Sequence, residues 1–213
     1  MRRDRLIPCA LAFASAVALA GCNGLSKLDW TTLGRSTWQR PEDVVRALEL
    51  RPGDRVADLG AGEGYFLPYL SEAVGSRGRV FAVEVEPELA ERLEAEFPDG
   101  GNVEVVLGRY EDPELPDRSI DLVLIVNTYH HIEDRPAYFT RLKRDLSPSG
   151  RVAIIEPDAE LHGVLSLFVE EGHQSSASGI AEEMGASGYR PSASHDLLAV
   201  QVFEVFAPED DAG

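Results

Sequence analysis

Cysteine is nearly missing from this sequence: only Cys9 and Cys22 carry a thiol, and both fall within the first 22 of 213 residues. No disulfide framework can staple the body of the chain, which must stand on its apolar core. Positive charge is scarce too. Lys and Arg number 20 against 37 Asp and Glu, a formal charge of −17 that repels a phosphate backbone, so no nucleic-acid partner is expected. A membrane-length apolar run is also lacking. Residues 6–20, at about 1.5 Å per residue, reach roughly 22 Å, short of the roughly 30 Å hydrocarbon core. What is present, 44% apolar and 27% charged residues, is the balance of a single globular domain.

The chain opens with Arg2, Arg3 and Arg5, continues with the apolar residues 6–20, and reaches Gly21 and Cys22. This is the order of a secretory signal peptide. Leu19-Ala20-Gly21-Cys22 resembles a bacterial lipobox, whose cysteine thiol is joined to diacylglycerol and becomes the new N-terminus. The resemblance implies a lipoprotein signal peptide over residues 1–21, a lipid anchor at Cys22, a membrane partner and an exported place in the bacterial cell envelope. The other readings are an ordinary signal peptide with an incidental cysteine, or a downstream translation start that leaves the protein in the cytoplasm. Cleavage removes three Arg and one Asp, taking the charge from −17 to −19.

Residues 22–40 read as a tether and N-terminal lid, with Trp38 either covering a pocket or packing in the core. Residues 41–207 form the main domain, and 208–213 an acidic tail. In the main domain, helical and strand patterns alternate. Helices are expected over 41–50, 65–74, 87–97, 136–146 and around 180–184, and strands over 55–59, 78–85, 103–107, 120–126, 151–155 and within 197–206. Ser147-Pro-Ser-Gly150 reads as a turn. The run Ile120-Asp-Leu-Val-Leu-Ile-Val126 is apolar enough to be buried on both faces. The alternation predicts an α/β fold, a doubly wound, mostly parallel sheet with helices on both faces and its ligand beyond the carboxyl strand ends.

Val56-Ala-Asp58-Leu-Gly60-Ala61-Gly62-Glu-Gly64 places an acidic residue and three alternate glycines where a strand passes into a helix. The dinucleotide fingerprint spaces its glycines G-x-G-x-x-G, whereas the third arrives one residue early here. Asp58 would repel a pyrophosphate and attract an ammonium or sulfonium centre. Glu84 ends the next strand, about 20 residues beyond the turn, where a carboxylate can take both ribose hydroxyls.

Together with Ile120–Asn127 and Leu146-Ser-Pro-Ser-Gly150 before the fifth strand, these motifs resemble a class I S-adenosylmethionine (SAM)-dependent methyltransferase over residues 38–157. The resemblance implies a Rossmann-like, seven-stranded sheet with an antiparallel strand near the C-terminus, and SAM as cofactor. It implies that the glycine turn (Asp58, Gly60, Ala61, Gly62, Gly64) holds the methionine part, Glu84 the ribose, and the turn after the third strand the adenine. Asn127, closing the fourth-strand motif, joins the cofactor-binding set. The adenine turn departs from the family pattern, with Arg109 where an aspartate or asparagine is common. The backbone N–H of Tyr110 with a carboxylate from Glu111 or Asp112 would replace it, or Arg109 points to solvent. Ser149 likewise stands in place of a glycine.

Asn127-Thr-Tyr-His130-His131 follows the fourth strand, at the rim where a methyl acceptor would approach. Methyl transfer from a sulfonium needs positioning and exclusion of water, with a base only when the acceptor must lose a proton. His131 is the preferred base and His130 the second candidate; the opposing reading has one capping the next segment and the other packing. His173 sits in a loop able to fold over the same rim. Zinc is not expected from His130, His131 and His173, which lack cysteines and metal-ligand spacing. The apolar Leu161, Val164, Leu165, Leu167 and Phe168 suit an acceptor lid or a lipid contact. The sequence therefore predicts a SAM-dependent methyltransferase acting on an unidentified small-molecule or envelope acceptor. An exported enzyme would stand apart from the cytoplasmic SAM supply. The rival is a lipid-anchored, non-enzymatic ligand-binding protein on the same scaffold; a nicotinamide dehydrogenase is disfavoured by the glycine spacing.

Overall fold

A computed structural model of the chain describes residues 34–98, 100–160 and 175–209. Residues 1–21, read above as a signal peptide, together with Cys22, most of the expected tether, the apolar stretch 161–169, His173 and residues 210–213, lie outside the described residues. The chain divides into two units, Met1–Thr37 and Trp38–Gly213. Of the first, residues 34–37 are described, and they open helix α1 (Arg35–Gln39). No helix among the described residues is long and apolar enough to cross a membrane.

The second unit follows the alternation in the sequence. Helix α2 (Pro41–Ala47) begins on a proline with Glu42 and Asp43 in its first turn, where the missing N–H costs nothing and the helix dipole favours acid. Strand β1 (Arg55–Leu59), helix α3 (Leu67–Val74), strand β2 (Arg79–Glu84), helix α4 (Pro87–Glu96) and strand β3 (Val103–Leu107) form the first half. Strand β4 (Ile120–Val126), a short 3₁₀ turn (Tyr129–His131), helix α5 (Arg135–Leu142), strand β5 (Leu146–Pro157), helix α6 (Ala177–Ala186) and strands β6 (Tyr189–Ser194) and β7 (Gln201–Pro208) form the second.

The sheet order is β3-β2-β1-β4-β5-β7-β6. Strands β1 to β5 are mutually parallel, and β7 runs antiparallel to both its neighbours, β5 and β6. Winding reverses between β1 and β4, the switch point where an open sheet leaves a crevice. The register sets Leu59 beside Val83 and Ile125, so Gly60, Glu84 and Val126 finish at one edge.

Strand β4 shows why the sheet needs helices on both faces. Leu122, Val123, Leu124 and Ile125 are all fully buried. Leu122 and Leu124 join Val44, Leu67 and Leu70 in one apolar cluster, while Val123 and Ile125 join Phe139, Leu142, Ile180 and Met184 in the other. The period-two pleat sends neighbours to opposite faces. Full burial of each such side chain contributes about 1.5–3 kcal/mol.

Two expectations need correction, and one strand falls where the residues suggest no element. Residues 147–150, read as a turn, lie within β5, which starts at Leu146 and pairs with Ile120 before a register shift. The helix expected over 136–146 ends at Leu142, because the N–H groups of Arg144 and Asp145 turn back to Arg141 and Leu142. Strand β6 was not assigned from the residues, since Tyr-Arg-Pro-Ser-Ala-Ser is polar and holds a proline; as an edge strand it tolerates both.

Candidate active site

The glycine turn after β1 is held by committed backbone donors. The N–H groups of Gly60 and Ala61 both reach the Val83 carbonyl, at 2.9 and 3.0 Å. That of Gly62 donates to Glu84 Oε2 at 2.9 Å. These three consecutive N–H groups are spent inside the protein, so they cannot cradle a pyrophosphate as a phosphate-binding turn does. Gly60 has φ +75°, and a Cβ there would lie 2.4 Å from both Oγ1 and Cγ2 of Thr128. Its glycine is therefore demanded by Thr128 across the switch point, not by ligand volume. At Gly62 (φ +58°) the same construction meets open space. Gly64 abuts Leu93 and Leu67 and serves helix packing.

Beyond the strand ends lies a cavity of about 480 Å³ lined by Leu59, Gly60, Val83, Glu84, Val85, Glu86, Leu89, Arg109, Tyr110, Thr128, His131, Ile132 and Tyr138. It brings together Gly60, Glu84, Tyr110 and His131 from the sequence candidates. Asp58, Ala61, Gly62, Gly64, Glu111, Asp112, Asn127 and His130 do not line it. Asp58 is buried on the opposite sheet face from Ala57 and Leu59.

Glu84, only 5% exposed, ends β2 at this cavity. Its Oε1 accepts the N–H groups of Val85 (2.8 Å) and Glu86 (3.1 Å), and its Oε2 that of Gly62. The carboxylate is thus preorganised, with lone pairs left for a ribose diol. A cavity walled by Leu89, Tyr110, Ile132 and Tyr138, with Glu84 on its floor, fits a nucleoside; two carboxylates, Glu84 and Glu86, suit a positively charged one.

The turn after β3 closes on itself through Arg109 N–H to Asp112 O and Asp112 N–H to Arg109 O. Arg109 lies at the rim, 71% exposed, with its guanidinium paired to Glu114 at 3.1 Å. The Asp112 carboxylate accepts from Arg144 (3.1 Å) and the Glu114 N–H (2.9 Å). Asp112 is thereby drawn away as an adenine acceptor.

The two histidines separate. His131 faces the cavity. His130 is held by Glu156, Nδ1 to Oε2 at 2.6 Å, and its ring lies 4.1 Å from that of His131. Glu156 is fully buried at the end of β5 and also accepts the Tyr129 N–H at 2.8 Å. Burial pushes its carboxyl up to about 7, against the opposing pull of backbone N–H groups and the His131 charge. The Tyr129 hydroxyl bonds Glu183 of α6, which Arg135 of α5 also grips. Asn127, at φ +53°, accepts a hydrogen bond on its Oδ1 from Gln201 Nε2 at 2.8 Å.

Glu156, Glu86, Thr128 and Gln201 were missed in the sequence. Glu156 had a visible signal: Ala-Ile-Ile-Glu156 ends an apolar strand on an acid just as Phe-Ala-Val-Glu84 does. Thr128 and Gln201 had none, since their meaning comes from residues distant in the chain.

Residues 57–154 match the family model described as a methyltransferase domain. A ubiquinone/menaquinone biosynthesis C-methyltransferase from Shewanella frigidimarina is 26% identical over 131 residues, 60% of this chain and 51% of that protein. An aklanonic acid methyltransferase from a Streptomyces species is 32% identical over 130 residues, 60% of this chain and 56% of that one. The chain thus spans about half the length of these curated relatives. A SAM-dependent methyltransferase structure from Aquifex aeolicus aligns with TM-score 0.72 and 25% identity, covering 85% of this chain and all of that one. With the strand order, the committed glycine turn and Glu84 beside it, these matches make residues 57–154 similar to a methyltransferase domain, on a sheet of the class I, SAM-dependent methyltransferase fold.

Proposed function

We propose that the whole protein transfers a methyl group from SAM to an acceptor at the carboxyl edge of β1, β2 and β4. The observation that carries this reading is Glu84, fixed by three backbone N–H groups at the cavity floor, one of them from the glycine turn. Glu84 would hold the ribose and the glycine turn the methionine part. Bound SAM supplies an electrophilic methyl on a cationic sulfur. The chain's own part is to orient that group, exclude water and, at His131, take a proton from an acceptor that must lose one. The His131 ring lines the cavity and packs on His130, which Glu156 immobilises. The lipobox supports attachment of the domain to a membrane through Cys22, with a small molecule or envelope component as acceptor.

Calorimetric titration of the signal-free protein with SAM, followed by tracking of labelled methyl into a cell-envelope extract, tests this reading. Saturable binding and a labelled product are expected. Absence of SAM binding would leave the rival, a binding protein for another cationic nucleoside. Membrane partitioning lost in Cys22→Ser would support the anchor, and an intact Met1 on a soluble product would overturn it.

A further inference from the structure

The turn that would read the amino edge of the nucleobase offers the cavity no carboxylate or amide acceptor to do so. The Arg109 guanidinium pairs with Glu114 out on the rim, the Asp112 carboxylate is taken by Arg144, and Glu111 does not line the cavity. What the turn does present is an aromatic ring. Tyr110 lines the cavity, yet it is 67% exposed, one of two large apolar side chains so exposed among the described residues. Its hydroxyl donates to Glu86 Oε1 at 2.6 Å, joining the segment after β3 to the one after β2. The ring is therefore tethered at both ends, by its backbone and by its hydroxyl. Leu89 and Val85 complete an apolar surface beside it. Bonding to Glu86 raises the phenol's pKa, so it remains a donor at working pH.

We propose that Tyr110, held in place by Glu86, is the wall on which the nucleobase of the cofactor stacks, so that this site recognises the base by its face and tolerates changes at its edge. The inference rests on the SAM reading above. Stacking is insensitive to the exocyclic group, because every base presents a π face, whereas an edge-reading carboxylate would reject a base lacking the amino donor. Glu86 acts as a positioning residue: it restricts the ring before the ligand arrives, so less freedom is lost on binding.

The test is calorimetric binding of S-adenosylhomocysteine and its inosine counterpart, S-inosylhomocysteine, which carries a carbonyl where adenine has its amino group. Wild-type protein should bind both within about threefold of each other. Tyr110→Ala should weaken both by about 5- to 100-fold, and Tyr110→Phe, which keeps the ring and loses the tether, should fall between. Glu86→Ala should match Tyr110→Phe, and adding it to Tyr110→Phe should cost nothing more, as expected when both remove one contact. Discrimination above about 30-fold in the wild type, or unchanged affinity in Tyr110→Ala, would overturn the proposal. If neither nucleoside binds the wild type, it is the SAM reading itself that has failed.

Discussion

Replacing Glu84 by alanine should damage stability and cofactor affinity separately, and the structure lets both be sized. The carboxylate accepts three N–H groups, from Gly62, Val85 and Glu86, at 2.8 to 3.1 Å. Hydrogen bonds to a charged acceptor contribute about 1.5–3 kcal/mol each, a gross loss of roughly 5–9 kcal/mol. Water from the adjoining cavity can re-solvate part of that, leaving a net destabilisation of about 2–5 kcal/mol, a large share of the 5–15 kcal/mol typical of a domain. For a domain of this size the thermal midpoint should fall by about 5–20 °C. Affinity for SAM, measured calorimetrically well below that midpoint, should fall by a further 10- to 150-fold through loss of the ribose contacts. Urea unfolding with and without SAM separates the two, since ligand stabilises only in proportion to its affinity. An affinity loss with an unmoved midpoint would refute the backbone-holding role. A lowered midpoint with unchanged affinity would refute the ribose role.

Gly60→Ala should destabilise by about 2–5 kcal/mol, summing a left-handed backbone penalty and the clash with Thr128, and Thr128→Gly should recover the clash but not the backbone part in a double-mutant cycle. Glu156 binds its proton more tightly in the fold (about 7) than its ordinary value of 4.5, so between those pH values the folded state holds more protons and stability falls as pH rises. Glu156→Gln should flatten that slope, on the order of 1–3 kcal/mol across the window by urea unfolding; an unchanged slope would place the proton elsewhere. His131→Ala should lower turnover by about 10²- to 10⁴-fold with SAM affinity nearly intact, once an acceptor is found, and full turnover at saturating acceptor would make the histidine structural.

The sequence by itself determined the layered α/β architecture. The doubly apolar run 120–126, the glycine turn after Leu59, Asp58 just before it and the acid ending β2 are local signals, because strand period, turn chemistry and helix starts depend on neighbours within a few residues. Only the tertiary structure decided which of those side chains meet. Glu156 reaches His130 across 26 positions, Glu183 reaches Tyr129 across 54, and Gln201 reaches Asn127 across 74. Arg144 engages the Asp112 carboxylate in the turn after β3, and Tyr110 finds Glu86 beyond the neighbouring strand end. Gly60 is required by Thr128, a residue on another strand's exit. Such pairings depend on sheet order, register and side-chain rotamer together. Periodicity carries none of these, so the preference for His131 over His130 has a geometric basis only once β5 sets a buried carboxylate beside His130 and leaves His131 facing the cavity.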